Sequence, residues 1–186
     1  MDQRARRGDA QVSGGEAGSL ALPDDLDAML GVKLWQNPCW LSFRVNYIGH
    51  HFNQPLYAHI QRRYQMTAPE HVVVYAIGLK EGVTAEAIAA SSARPKNTLS
   101  RAINALVGKG LVFRIQDRDD RRRLALHLTR AGRRVVTETV PLFVAHEQAM
   151  AAALTSAEQA TLNRLLTKII LAKKSWPTAV EQERAT

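Results

Sequence analysis

The chain has 186 residues, 46% of them hydrophobic, with a formal net charge of +8. That length suits one globular domain, or a compact domain with extra helices, and that composition permits a packed core. A single cysteine, Cys39, excludes an internal disulfide and a multi-cysteine zinc site. The longest apolar run, around residues 72–79, is well short of the roughly 18 residues of a membrane span. The charged first residues are not followed by the apolar stretch of a secretory signal. A soluble, cytoplasmic protein with no membrane partner is expected.

The positive charge is concentrated. Residues 94–134 carry twelve Lys/Arg and three Asp, a net of +9, whereas the remaining 145 residues carry thirteen Lys/Arg and fourteen Asp/Glu, a net of −1. An excess confined to 41 residues marks an electrostatic footprint for a polyanion better than a high isoelectric point does.

Residues 1–20 are rich in Gly, Ser and charge without apolar periodicity and read as a disordered tail, as do residues 175–186. A short helical turn is expected around Pro23 to Leu30. Asn37-Pro38 then signals a helix start, a cap residue followed by proline at the first helical position. Leu41, Val45, Ile48, Phe52, Leu56 and Ile60 keep a helical period up to about Tyr64, with a kink expected at Pro55. Thr67 and Glu70 form a capping box that opens a second helix through Leu79. Thr84 caps a short third helix, "AEAIAASS", and after a turn near Ala93, Pro95 starts a fourth that ends at "GKG" (108–110). Two short helices joined by a few residues describe a helix-turn-helix.

"GLVFRI" follows, read as a strand with Leu111, Phe113 and Ile115 on its buried face. Next come the seven consecutive charges Asp117 to Arg123, and then "RLALHL" with Leu124, Leu126 and Leu128 on one face. This is a β-hairpin with a charged tip. A long helix with Pro141 inside it runs from Thr129 to about Ala152. Thr155 and Glu158 cap a last helix whose Leu162, Leu165, Leu166, Ile169 and Ile170 form one stripe. The fold class is mainly α with a small β-hairpin: a winged helix-turn-helix plus a helical dimerisation region.

On a helical wheel the fourth helix puts Ala102, Ile103 and Leu106 beside Leu99, with Asn97, Arg101 and Asn104 opposite and Ser100 at the margin. Lys96 and Thr98 join them in the first turn. These side chains suit base edges and phosphates in a major groove, although an ordinary surface helix has the same wheel. The hairpin tip favours the nucleic-acid reading. Arg118, Arg121, Arg122 and Arg123 are placed to reach a neighbouring minor groove, with Asp120 pairing with an arginine to hold the loop's shape.

"ALVGKGLVFR" (105–114) and "DRRRLALHLTRAG" (120–132), taken in order, resemble the MarR (multiple antibiotic resistance regulator) family of winged-helix transcription factors. The first is similar to the family's Leu-x-x-x-Gly-Leu-Val-x-Arg, the second to Asp-x-Arg, an alternating strand and Leu-Thr-x-x-Gly. The resemblance covers about residues 37–172. It implies that residues 95–107 are the recognition helix, that Arg122 is the wing arginine of the minor groove, and that Asp120 positions it. Arg94 departs from the pattern, because the family often has a small hydroxyl residue there to cap the helix. The expected organisation is N-terminal dimerisation helices over 21–66, the winged helix-turn-helix over 67–130 and C-terminal dimerisation helices over 131–174. A homodimer then binds a pseudo-palindromic double-stranded operator in a bacterial or archaeal cell.

The resemblance also implies a small-molecule effector that releases a repressor. The effector candidates are Trp40, Arg44, Tyr47, His51 and Tyr75, an arginine among aromatics that suits an aromatic carboxylate or a phenolic compound. Alternatively Trp40 and Tyr47 are dimer core and Arg44 a structural residue. Cys39 lies broadly where hydroperoxide sensors of the family keep a reactive thiol, but a buried, inert cysteine has the same sequence signature. His50, His51, His146 and Glu147 could in principle meet as a metal site, but adjacent helix residues do not share a face, so no metal and no cofactor are expected. No phosphate loop, dinucleotide fingerprint, zinc-protease motif or nucleophile elbow is present, which argues against an enzyme. A winged helix used for protein–protein contact is the competing class, and retention of the basic groove-facing residues argues against it. RNA binding lacks an aromatic platform on the hairpin.

Overall fold

The computed structural model describes residues 25–116 and 124–177. The chain falls into two compact units, residues 1–47 and 48–186. In the first, α1 (Ala28–Trp35) is capped by Asp27, whose carboxylate accepts the Leu30 N–H at 2.8 Å. This helix overlaps the end of the helical turn expected around Pro23 to Leu30, of which Pro23 lies outside the described residues, and Asp27 supplies the side-chain acceptor that a helix start requires. Asn37 Oδ1 accepts the Cys39 N–H at 2.9 Å, so Asn37-Pro38 forms a turn and α2 (Trp40–Tyr64) begins just beyond it. The helix continues through Pro55, and the unit boundary falls within it.

The second unit holds the core. It continues from α2 into α3 (Ala68–Leu79), α4 (Ala85–Ser92), α5 (Lys96–Gly108), β1 (Val112–Gln116), β2 (Leu124–Leu128), α6 (Arg130–Ala151) and α7 (Ser156–Leu171), with a 3-10 turn over Ala172–Ser175. The capping boxes at Thr67–Glu70 and Thr155–Glu158 are both formed, and Thr84 caps α4. The core joins Ile60 and Met66 to Val73, Val74 and Ile77 of α3 and Ile88 of α4. Leu99, Ile103 and Leu106 of α5 and Val112, Leu126 and Leu128 of the hairpin complete it.

The strands pair antiparallel, Val112 opposite Leu128, Arg114 opposite Leu126 and Gln116 opposite Leu124. Opposed residues share a face of the sheet, which corrects the expected phase of β1. Val112, not Phe113 or Ile115, faces the core: it is 2% exposed against 40% and 47%. Leu126 and Leu128 are buried as expected, whereas Leu124, nearest the tip, is exposed. A third short stretch closes the sheet. Gly82 N–H donates to Leu126 O and Leu126 N–H to Val83 O, each at 3.0 Å.

The Leu-Thr-x-x-Gly segment has a steric explanation. Thr129 Oγ1 donates to Gly110 O at 2.7 Å and accepts the Gly132 N–H at 3.1 Å, capping α6. The Thr129 N–H in turn donates to Leu111 O at 3.0 Å. A Cβ on Gly132 would lie 2.1 Å from that same carbonyl oxygen, so only glycine lets α6 start against the end of α5 and the base of the hairpin. Gly132→Ala is therefore expected to destabilise the protein by about 2–3 kcal/mol, measured by chemical denaturation. A loss below about 0.5 kcal/mol would show that the Leu111 carbonyl yields freely.

Candidate nucleic-acid interface

α5 is divided cleanly between core and solvent. Leu99, Ala102, Ile103 and Leu106 are at most 5% exposed. Lys96, Asn97, Ser100, Arg101 and Asn104 are exposed, and Thr98 is half-buried. The residues singled out from the sequence thus occupy one outward surface of one helix. Asn97 Oδ1 accepts the Thr98 N–H at 2.7 Å, which occupies its oxygen locally. The wing-tip candidates Arg118, Asp120, Arg121, Arg122 and Arg123 lie outside the described residues.

The two ends of α5 are held differently. At the start, Pro95 occupies the cap position and no side chain caps the helix. Arg94 stands where the family pattern has a capping hydroxyl; burial raises the Tyr57 phenol of α2, and the positive charge of Arg94 partly offsets that rise. Ala93 makes the preceding turn with a positive φ of 54°, a conformation that costs a non-glycine residue roughly 1 kcal/mol. At the far end, Lys109 Nζ donates to Glu70 Oε1 and to Gln65 O, both at 2.7 Å. Burial alone would raise the Glu70 carboxyl, but Lys109 and the Thr67 donors outweigh it and hold it below the usual carboxylate range. Removing Lys109 would strand the buried Glu70 carboxylate.

Arg114 is a residue that sequence reasoning missed. Placed on the inner face by its register opposite Leu126, it donates from Nη2 to Asn104 Oδ1 on α5. The signal was the phase of β1, which the apolar alternation of Leu111, Phe113 and Ile115 concealed.

The effector candidates divide between the units. In the first, Arg44 donates to Leu34 O at 2.6 Å and to Trp40 O at 3.2 Å, and its guanidinium lies 5.8 Å from the Trp40 ring centre. Tyr47 packs against Phe43, with ring centres 5.7 Å apart. Cys39 is exposed rather than buried. In the second unit His51 meets His50 edge-on, and Tyr75 stacks on His71 at 6.2 Å. His146 packs on Phe52. Among the described residues no group of three His, Cys, Asp or Glu is placed to hold a metal ion, and no helix is long and apolar enough to cross a membrane.

His71 is the centre of an aromatic cluster. Its ring stacks on Phe143 at 4.9 Å and meets Tyr57 edge-on at 6.0 Å. Thr139 Oγ1 donates to Val135 O, so His71 Nε2–H donates to Thr139 Oγ1 at 3.1 Å.

The MarR family model matches residues 64–123, which include α3, α4, α5 and β1. Over these residues the chain is similar to the MarR family. It is 28% identical over 105 residues to the transcriptional regulator HosA of Escherichia coli O127:H6, a match that covers 56% of this chain and 78% of HosA. Among solved structures, the Staphylococcus aureus MepR–DNA complex aligns with a TM-score of 0.61 at 25% identity, covering 70% of this chain and 96% of that one. A MarR-family regulator from Silicibacter pomeroyi aligns with a TM-score of 0.66 at 23% identity, covering 81% and 98%. The chain therefore shares the winged-helix fold of these regulators, and the mainly helical class with a small antiparallel sheet is the observed one.

Burial lowers the His71 imidazole from its ordinary 6.5 to about 4. The folded state therefore keeps this ring neutral while the unfolded chain protonates it as pH falls below about 6.5. Its contribution to stability is fully present above that value. It is lost at about 1.4 kcal/mol per pH unit on the way down to pH 4, about 3 kcal/mol in all. In denaturation curves taken between pH 7 and pH 4, His71→Phe is expected to lose this much less stability than the unsubstituted protein. Equal losses would show that the imidazole is not desolvated.

Proposed function

We propose that the protein is a homodimeric transcriptional regulator that binds a pseudo-palindromic duplex, with α5 in the major groove and the 117–123 wing in the adjacent minor groove. The observation that carries this reading is the division of α5. Four apolar side chains fix its roll, and Lys96, Asn97, Ser100, Arg101 and Asn104 stand free of the core on the opposite surface. The net +9 of residues 94–134 supplies the attraction to phosphate. The likeness to MepR, whose solved complex contains DNA, supports the same use of the fold here.

Dimerisation is supported by apolar surface that the winged-helix core does not cover. Trp35 and Trp40 of the first unit are 53% and 57% exposed, and on α7 Leu162, Leu165 and Ile170 are 45%, 46% and 62% exposed. Leaving such faces wet forgoes on the order of 25 cal/mol per Å². Two copies joined there present two recognition helices about one helical turn of DNA apart.

Release by a small molecule, an aromatic carboxylate or a phenol, is part of the proposal, with Arg44 of the first unit as its charged anchor and Trp40 and Tyr47 of the same unit as flanking groups. Arg44 spends donors on two backbone carbonyls, which orients the fork and leaves further N–H groups for a carboxylate. The exposure of Cys39 favours keeping a thiol-based, oxidant-responsive release as a second reading.

If each protomer neutralises about four phosphates, log affinity should fall with log salt concentration with a slope near −7. Fluorescence anisotropy on an operator duplex measures it, with sedimentation giving the stoichiometry. A slope shallower than about −3, or one protomer per site, would contradict this reading and favour a winged helix used for protein contact.

A further inference from the structure

Arg114 and Asn104 line one cleft between α5 and the hairpin, together with Ser100, Ile103, Leu126 and Glu86 of α4. The floor is apolar, since Ile103 and Leu126 are almost fully buried, while Arg114 and Asn104 themselves are exposed. Chemistry decides which way the amide faces. A guanidinium has only N–H donors, so it can meet Asn104 only at the amide oxygen. What the pair offers to a ligand arriving from solvent is then the Asn104 NH2 and the unused N–H groups of Arg114.

Asparagine reads adenine with two atoms, its oxygen accepting from N6 and its NH2 donating to N7. An oxygen already drawn to a guanidinium is a poor acceptor, and the cation beside it repels another donor. Guanine presents two acceptors, N7 and O6, in the major groove. A phosphate is a worse match for this cleft, because the Glu86 carboxylate on the same wall opposes an anion.

We propose that Arg114 is a specificity-determining positioning residue that makes Asn104 a donor-only reader of guanine instead of a reader of adenine. The proposal rests on the placement of α5 in the major groove argued above. It adds a base preference that the position of α5 does not itself imply.

The test is selection from randomised duplexes with the full-length protein, followed by sequencing of the enriched pool. The unsubstituted protein is expected to prefer guanine over adenine by at least about fivefold at one position per half-site. Asn104→Ala removes that preference there and nowhere else. Arg114→Ala moves the same position toward adenine, because the freed amide oxygen now accepts from N6. Asn104→Asp keeps a partner for Arg114, and with it the link between helix and strand, but supplies no donor; the guanine preference is expected to be lost while thermal stability is retained. Enrichment of a motif whose base preferences survive Arg114→Ala and Asn104→Asp would overturn the proposal while leaving the DNA reading intact. A uniform loss of affinity with preferences unchanged would overturn it too, by reducing the pair to a structural link. Enrichment of no sequence by the unsubstituted protein would bring down the major-groove reading and this proposal with it.

Discussion

What α5 shows to solvent depends on what its inner face buries. Leu99, Ile103 and Leu106 pack among the side chains of α3, α4 and the hairpin, each stabilising the unit by about 1.5–3 kcal/mol. Rolling the helix by a single residue, about 100°, would exchange these for polar groups with no partner in the core. The roll is therefore fixed by several kcal/mol, and Asn97, Arg101 and Asn104 have one direction in which to point. The contacts of Lys109 with Glu70 and Gln65 at its far end restrain the helix along its axis as well.

The hairpin is held with comparable firmness at its base. Its inner side chains belong to the same core, Val83 extends the sheet, and Thr129 and Gly132 lock the start of α6 against Leu111. On the outer side Glu81 accepts from His127 at 3.0 Å and pairs with Arg133, and the His127 ring stacks on Phe113. The strand ends that flank residues 117–123 therefore stand on a rigid support, as the proposed insertion of an arginine into a groove requires. Arg114 joins helix and hairpin directly, so α5 and the hairpin share one frame.

Much of this was legible in the sequence, where the signals are local. The boxes at Thr67–Glu70 and Thr155–Glu158 and the cap at Thr84 depend on residues three apart, and α3, α4 and α7 begin where they indicate. The buried face of α5 followed from its period. The phase of β1 was not legible, because Leu111, Phe113 and Ile115 alternate as convincingly as a buried strand should. Only the tertiary pairing of Val112 with Leu128 decides between the two faces. The same error hid Arg114, which the mistaken phase turned away from α5. The extent of α1 to Trp35 was not legible, because nothing in the pattern of residues 31–35 marks where it ends. The effector candidates are drawn from two compact units, and no local pattern connects Arg44 to Tyr75.

The central claim is that two copies of one polar helix and one arginine-bearing finger engage a duplex together. Hydroxyl-radical footprinting of the full-length protein on a selected operator, at low ionic strength, tests it most directly. The account predicts two protected clusters related by a dyad, about one helical turn apart, with further protection in the flanking minor grooves. A single cluster without symmetry, or an unprotected duplex, would contradict it.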